Sequence, residues 1–298
     1  LVQFIKESPD AFHAAAAVVS RLKESGYEEL TERKSWKLES GKGYYVTRND
    51  SAVIAFRIPE GKLSGYQVMA SHSDSPSFKI KENPEIVVDN HYVKLNVEKY
   101  GGMLMAPWFD RPLSVSGRVM VRETTEDGKK KIVSRLVNVD RDLLMIPSLA
   151  IHHNPDANTN LALSVQKDML PLLGDAKDVY STLTDKDVID ADLFVVPATS
   201  AFSGGVSDEF LCAPRLDNLL SVYSSLNAII NSTPKDIAVC CCFDNEEVGS
   251  ETKQGAASNI LSTLLRKINR AFMKNDDDFT FATENGVLLS SDNAHAVH

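Results

Sequence analysis

Ile237-Ala238-Val239-Cys240-Cys241-Cys242-Phe243 is an unbroken apolar run, and Asp244-Asn245-Glu246-Glu247 follows it directly. A run of that length suits a strand covered on both faces, as in a mostly parallel sheet with helices on either side. Upstream, Leu219, Leu220, Tyr223, Leu226 and Ile230 recur at helical spacing and predict a helix with one apolar side. Leu193 to Val196, before that helix, reads as another covered strand, so strand, helix and strand form the unit of an α/β fold. Downstream, a helix is expected over about 251–272 and a short strand over Val287 to Leu289.

Toward the N-terminus, Ser8-Pro9-Asp10 opens an Ala-rich stretch that runs to Gly26 and predicts a capped amphipathic helix. Strand-like runs follow at Tyr44 to Thr47, Ala52 to Ile58 and Gln67 to Ser71. From Phe78 to Val139 the texture changes. Val93, Leu95 and Val97 alternate with Lys94, Asn96 and Glu98, Val115 to Val121 reads as a further strand, and Glu126-Asp127-Gly128 looks like a hairpin tip. Alternation of this kind implies half-exposed antiparallel strands. A helical stretch is expected around Leu161 to Leu173. The expectation is an α/β fold in two parts, 1–75 and 191–298, interrupted by a β-rich insertion over 76–190.

With 298 residues, 43% of them apolar, the chain can bury a large core. Its 41 acidic and 32 basic side chains leave a net charge of -9, which disfavours nucleic acid and anionic lipid as partners. No run reaches the roughly 18 apolar residues that a membrane span needs, and the N-terminus lacks the order of a secretory signal. Three of the four cysteines are contiguous and cannot build a disulfide framework, so a reducing, cytoplasmic setting is expected. Because the sequence starts at Leu1 and stops at His298 just after a strand-like segment, one or both ends are expected to be cut.

Ligands of open α/β sheets sit beyond the carboxyl ends of the strands. Here Gln67 to Ser71 runs into His72-Ser73-Asp74, the run Ile237 to Phe243 into Glu246-Glu247, and Val287 to Leu289 into Asp292, while Asp217 stands at the start of a helix. Singly, each is more commonly a cap or turn former. Together, one imidazole and several carboxylates form the mixed nitrogen and oxygen set that zinc and similar cations accept. Asp74, two residues from His72, can orient the imidazole. Consecutive Glu246 and Glu247 should diverge, leaving one to bind metal and the other to face the attacking water.

His72-Ser73-Asp74-Ser75-Pro76, Arg215-Leu216-Asp217-Asn218-Leu219, Asp244 to Ser250 and Ser291 to His298 come in the order of, and together resemble, the motifs of the M18 aspartyl aminopeptidases. The resemblance implies a zinc-exopeptidase-like fold: a mixed, mostly parallel sheet with flanking helices plus an inserted β-rich lid and dimerisation domain. It implies two divalent metal ions, usually zinc, and removal of an N-terminal Asp or Glu from short peptides. Asp217 matches the bridging carboxylate, His72 and Asp292 the other ligands of one ion, and Glu247 a ligand of the second. Glu246 matches the general base and Asp74 the carboxylate behind the histidine. The peptide bond between Asp217 and Asn218 is expected to be cis. His152, in Ile146 to His152, matches a histidine that reaches substrate in a partner subunit's site, and dimers within a dodecamer are implied.

The family continues beyond the motif that ends at His298 and draws its last metal ligand, a histidine, from there, so one of the two ion sites is expected to lack its last histidine ligand in this chain. His295 and His298 resemble packing groups rather than substitutes for it. A subunit that keeps only assembly or peptide binding is the alternative from another class, and deacylation of an amino acid by the same metals is a third.

Overall fold

The computed structural model describes residues 1–61, 64–175, 178–272 and 274–297. They divide into two compact units, 1–75 with 201–298, and 76–200.

The first unit is built on a six-stranded sheet in the order Glu28–Glu29, Gly43–Arg48, Ala52–Arg57, Ile237–Phe243, Tyr66–His72, Val287–Ser290. Three pairings are parallel, at the first edge and between the last three strands, and two are antiparallel. The sheet is mixed because Gly43–Arg48 and Ala52–Arg57 are joined by a short turn, where Asn49 and Asp50 take left-handed backbone angles. Ile237–Phe243 is central, and its alternate side chains feed two cores. Cys240 and Cys242 pack with Phe4, Val18, Leu22, Leu219 and Leu226 from the helices on one face. Cys241 and Val239 pack with Ile54, Phe56, Leu264 and Ile268 on the other. Each fully buried Ile, Leu or Phe of this kind contributes roughly 1.5–3 kcal/mol relative to exposure. All four cysteines are free, three of them buried and Cys212 exposed.

The helix expected after Ser8-Pro9-Asp10 spans Ala11–Glu24. Asp10 is its cap, accepting from the Phe12 and His13 backbone N–H groups. The helix expected over 251–272 is shorter, Ile260–Ala271, because Ser250 to Ser258 is taken up by turns. A second helix, Asp276–Glu284, precedes the last strand and was not read from the sequence; Asn275 and Asp278 close a reciprocal capping box at its start.

The second unit is a six-stranded, wholly antiparallel sheet in the order Lys130–Asn138, Leu113–Thr124, Val188–Pro197, Ser77–Val88, Tyr92–Tyr100, Leu172–Gly174. Phe78, Leu95, Val97, Leu113, Val119 and Leu193 share its core. The expected hairpin at Glu126-Asp127-Gly128 joins Leu113–Thr124 to Lys130–Asn138. Only Val165–Asp168 of the stretch 161–173 is helical. Leu193 to Val196 belongs to this antiparallel sheet, hydrogen-bonded to Ser114–Gly117, and not to the sheet of the first unit. The change of unit therefore falls after Ser200, ten residues beyond the expected boundary at 190. A strand buried on both faces has the same apolar texture in either sheet, which is why its sequence pointed to the wrong partner.

Candidate metal centre

Three parallel neighbours end at the same edge of the first unit's sheet. Phe243 is paired with His72 and Ser290 with Ala70, so the segments that continue into Glu246-Glu247, Ser73-Asp74 and Asp292 leave the sheet side by side. His72, Glu246 and Asp292 each offer one donor atom, and these atoms lie within 4.8 Å of one another. From His72 Nε2 it is 3.7 Å to Asp217 Oδ1, 3.7 Å to Asp292 Oδ1 and 3.8 Å to Glu246 Oε2. The imidazole is buried, whereas the carboxylates of Asp217, Asp292 and Glu246 are about half exposed. The cluster is open to a ligand on its carboxylate side.

Asp74 holds two parts of this arrangement at once. Its backbone carbonyl lies 3.1 Å and its carboxylate 3.3 Å from His72 Nδ1, leaving Nε2 to face the cluster. The carboxylate also accepts the backbone N–H of Glu246 at 3.2 Å and of Glu247 at 3.1 Å. Glu246–Val248 is a single 3-10 turn set between left-handed Asn245 and Gly249. The Asn245 side-chain oxygen pins that turn by accepting from Thr252 Oγ1 and Gln254 Nε2, each at 2.8 Å.

Asp217 lies in the segment Leu216–Asn231, but it and Asn218 have non-helical backbone angles and the bond between them is cis. Ser75 Oγ donates to the Asp217 carbonyl at 3.1 Å. Glu247 meets the cluster through its charge and its backbone; its carboxylate is not in the tight group of three. His295 is exposed, and His298 lies outside the described residues. His152 is in the second unit, exposed within the turn Ile151–His153.

Burial alone would lower the His72 imidazole, but the hydrogen bond and charge of Asp74, with the charges of Glu246 and Asp292, override it and raise it to about 9. Burial, then the neighbouring Asp74, Glu246 and Asp217 charges, push Glu247 up to about 7 against the opposing pull of His72. Burial and the shared hydrogen bond with Asp292 raise Asp217 as well. Crowded carboxylates around one imidazole are what a cation relieves.

Donors about 2 Å from a shared tetrahedral centre are spaced about 3.3 Å apart. The separations of 3.7 Å and 3.8 Å from the imidazole come close to that, and the nitrogen and oxygen mixture suits zinc. Because the metal-free imidazole holds its proton up to a pH of about 9, uptake of a divalent ion must release that proton. Zinc affinity is expected to fall by up to about tenfold for each pH unit below that point, with a further proton entering below about 7 from Glu247. Calorimetric titration in buffers of different ionisation enthalpy counts the protons; affinity independent of pH would show that His72 does not bind the ion.

An α/β sheet whose parallel strand tips converge an imidazole and carboxylates at ligand spacing is the architecture of a metal-dependent hydrolase. The M18 peptidase model, described as aminopeptidase I zinc metalloprotease, matches residues 4–185 and 176–298. The probable M18 family aminopeptidase 2 of Clostridium acetobutylicum is 41% identical over 316 residues, which cover 100% of this chain and 72% of that protein. A chain in a cryo-EM structure of the Ape4 and Nbr1 complex is 33% identical with a TM-score of 0.90, covering 100% of this chain and 63% of that one. The structure of Chaetomium thermophilum mApe1 gives 28% identity and a TM-score of 0.89, over 100% of this chain and 74% of that one. The chain belongs to the M18 family of zinc metallo-aminopeptidases.

Proposed function

We propose that the protein removes N-terminal Asp or Glu from short peptides, with two divalent ions, zinc in the first instance, held at this edge of the sheet. The convergence of His72, Asp217, Glu246 and Asp292 carries the reading. In the roles the motifs imply, Asp217, His72, Asp292 and Glu247 would hold the ions. A divalent ion at such a site supplies Lewis-acid polarisation of a carbonyl and lowers the pKa of water. Glu246 takes a proton from the attacking water and delivers it to the nitrogen of the departing amine, so the peptide bond breaks with no net change in protons on the enzyme. Asp74 fixes the His72 ring and the turn that bears Glu246.

Preference for an acidic residue rests on the likeness of the four motifs to those of the aspartyl aminopeptidases. The second unit serves as lid and dimerisation domain, and His152 contacts substrate in the site of another copy within a dodecamer. In support, exposed Leu149 and Ile151 precede that histidine, and clustered exposed apolar side chains suit a protein contact. A cytoplasmic setting agrees with four free cysteines, and no helix among the described residues is long and apolar enough to cross a membrane.

The test is metal analysis of the purified protein together with hydrolysis of aspartyl, glutamyl and leucyl amides. About two ions per chain and faster release of acidic residues are expected. Absence of bound metal, or leucyl amide cleaved as fast as aspartyl, overturns the proposal.

A further inference from the structure

The two segments that carry Asp217 and Asp292 are tied to each other reciprocally. Asn218 Nδ2 donates to the Ser291 carbonyl at 2.9 Å, and Asn293 Nδ2 donates to the Leu216 carbonyl at 2.6 Å. Each asparagine directly follows one aspartate, and each reaches the residue directly before the other. Leu216-Asp217-Asn218 and Ser291-Asp292-Asn293 are thus closed into a ring by two side-chain amides, with the aspartates facing each other inside it. Ser221 Oγ adds a longer bond to Asn293 Oδ1 at 3.5 Å.

Regular structure does not otherwise join these segments. The paired register of Val287–Ser290 with Gln67–Ala70 ends at Ser290, with one further bond from the Ser291 N–H to the Ala70 carbonyl at 2.8 Å, and the backbone at Asp217 and Asn218 is outside helical geometry. Asp217 Oδ1 and Asp292 Oδ1 nevertheless each lie 3.7 Å from the same His72 Nε2, so the spacing of the two segments decides whether both carboxylates reach one ion. Ser75 Oγ ties the Asp217 carbonyl and the Ala70 carbonyl ties the Ser291 N–H, each to another strand end, whereas the two amides bond one aspartate segment directly to the other.

We infer that Asn218 and Asn293 are positioning residues that set the separation of the Asp217 and Asp292 carboxylates and, through it, the affinity of the site for a divalent ion. The inference rests on the proposed reading that these aspartates hold the ion. Neither asparagine needs to touch metal or substrate. Supports lying behind metal ligands act in this way, by removing freedom that binding would otherwise have to freeze.

Asn218 is fully buried, so its replacement risks the fold, whereas Asn293 is half-buried and tolerates change. Asn293→Leu keeps the branched outline of the side chain and removes the amide, and Asn293→Gln restores a donor on a longer arm. Zinc dissociation constants are read by competition with a chromophoric chelator, and metal-free thermal unfolding is followed for the same three proteins. Asn293→Leu is expected to weaken zinc on the order of tenfold with metal-free unfolding unchanged, and Asn293→Gln to recover part of the loss. Equal zinc affinity in all three overturns the inference. So does a loss of affinity that follows a loss of metal-free stability, with Gln no better than Leu. Failure of the unaltered protein to bind zinc is a separate outcome; it removes the metal reading itself and the inference with it.

Discussion

Glu246→Gln is expected to keep its zinc and lose turnover. Glutamine has the shape of glutamate but cannot accept a proton at neutral pH, so a general base is removed without emptying the space it filled. Loss of general-base catalysis amounts to about a hundredfold to ten-thousandfold in kcat. The geometry makes the metal readout as informative as the rate. Glu246 Oε2 is 3.8 Å from His72 Nε2 and shares the tight donor group with Asp292, so its carboxylate is close enough to be a ligand. If zinc is lost together with activity, Glu246 belongs to the ligand set and Glu247 becomes the candidate base. If the variant cleaves an aspartyl amide at the parental rate, neither role stands for Glu246.

Asp74→Ala is expected to lower zinc affinity by about tenfold to a hundredfold while changing metal-free stability far less. The carboxylate is buried and serves an imidazole and two backbone N–H groups, so its removal leaves the His72 ring with only the Asp74 backbone carbonyl at 3.1 Å and releases the turn that bears Glu246 and Glu247. Leaving a buried donor unpaired costs roughly 1–3 kcal/mol. Against that, Asp74 is itself a buried charge, and it helps to raise Asp244, which burial first and then Asp74 push up to about 6. Deleting it relieves that repulsion, so the two contributions to stability oppose each other, whereas both structural losses act in the same direction on metal binding. Chelator competition beside thermal unfolding of metal-free protein measures the split. Parental zinc affinity would show that the ring and turn hold their places without Asp74.

The three parallel strand ends were legible because each apolar run stops at a polar residue that can only lie at the sheet edge. Ile237–Phe243 followed by Glu246-Glu247, and Tyr66–His72 with Asp74 close behind, could be aligned from texture alone. Sheet membership could not. Leu193 to Val196 carries the apolar content of a central strand in either unit, and only its pairing with Ser114–Gly117 assigns it to the second. The ties around the aspartates were hidden for a different reason. Asn218 and Asn293 stood inside the quoted motifs, but a side-chain amide reaching a backbone carbonyl more than seventy residues away leaves no periodic signal in the sequence. Adjacency to Asp217 and Asp292 was the only cue. The double duty of Asp74 was out of reach likewise, since backbone N–H groups carry no residue identity.

The central strand gives the molecule a chemical handle. The hydrogen bond with Cys242 and then burial hold the Cys240 thiol, and burial holds the Cys241 thiol, well above their ordinary range, and Cys242 is enclosed with them, so a maleimide dye offered to the native protein meets only Cys212. One label per chain before unfolding and four after it would turn the strand into an internal gauge of whether the sheet has opened, with no engineered cysteine needed.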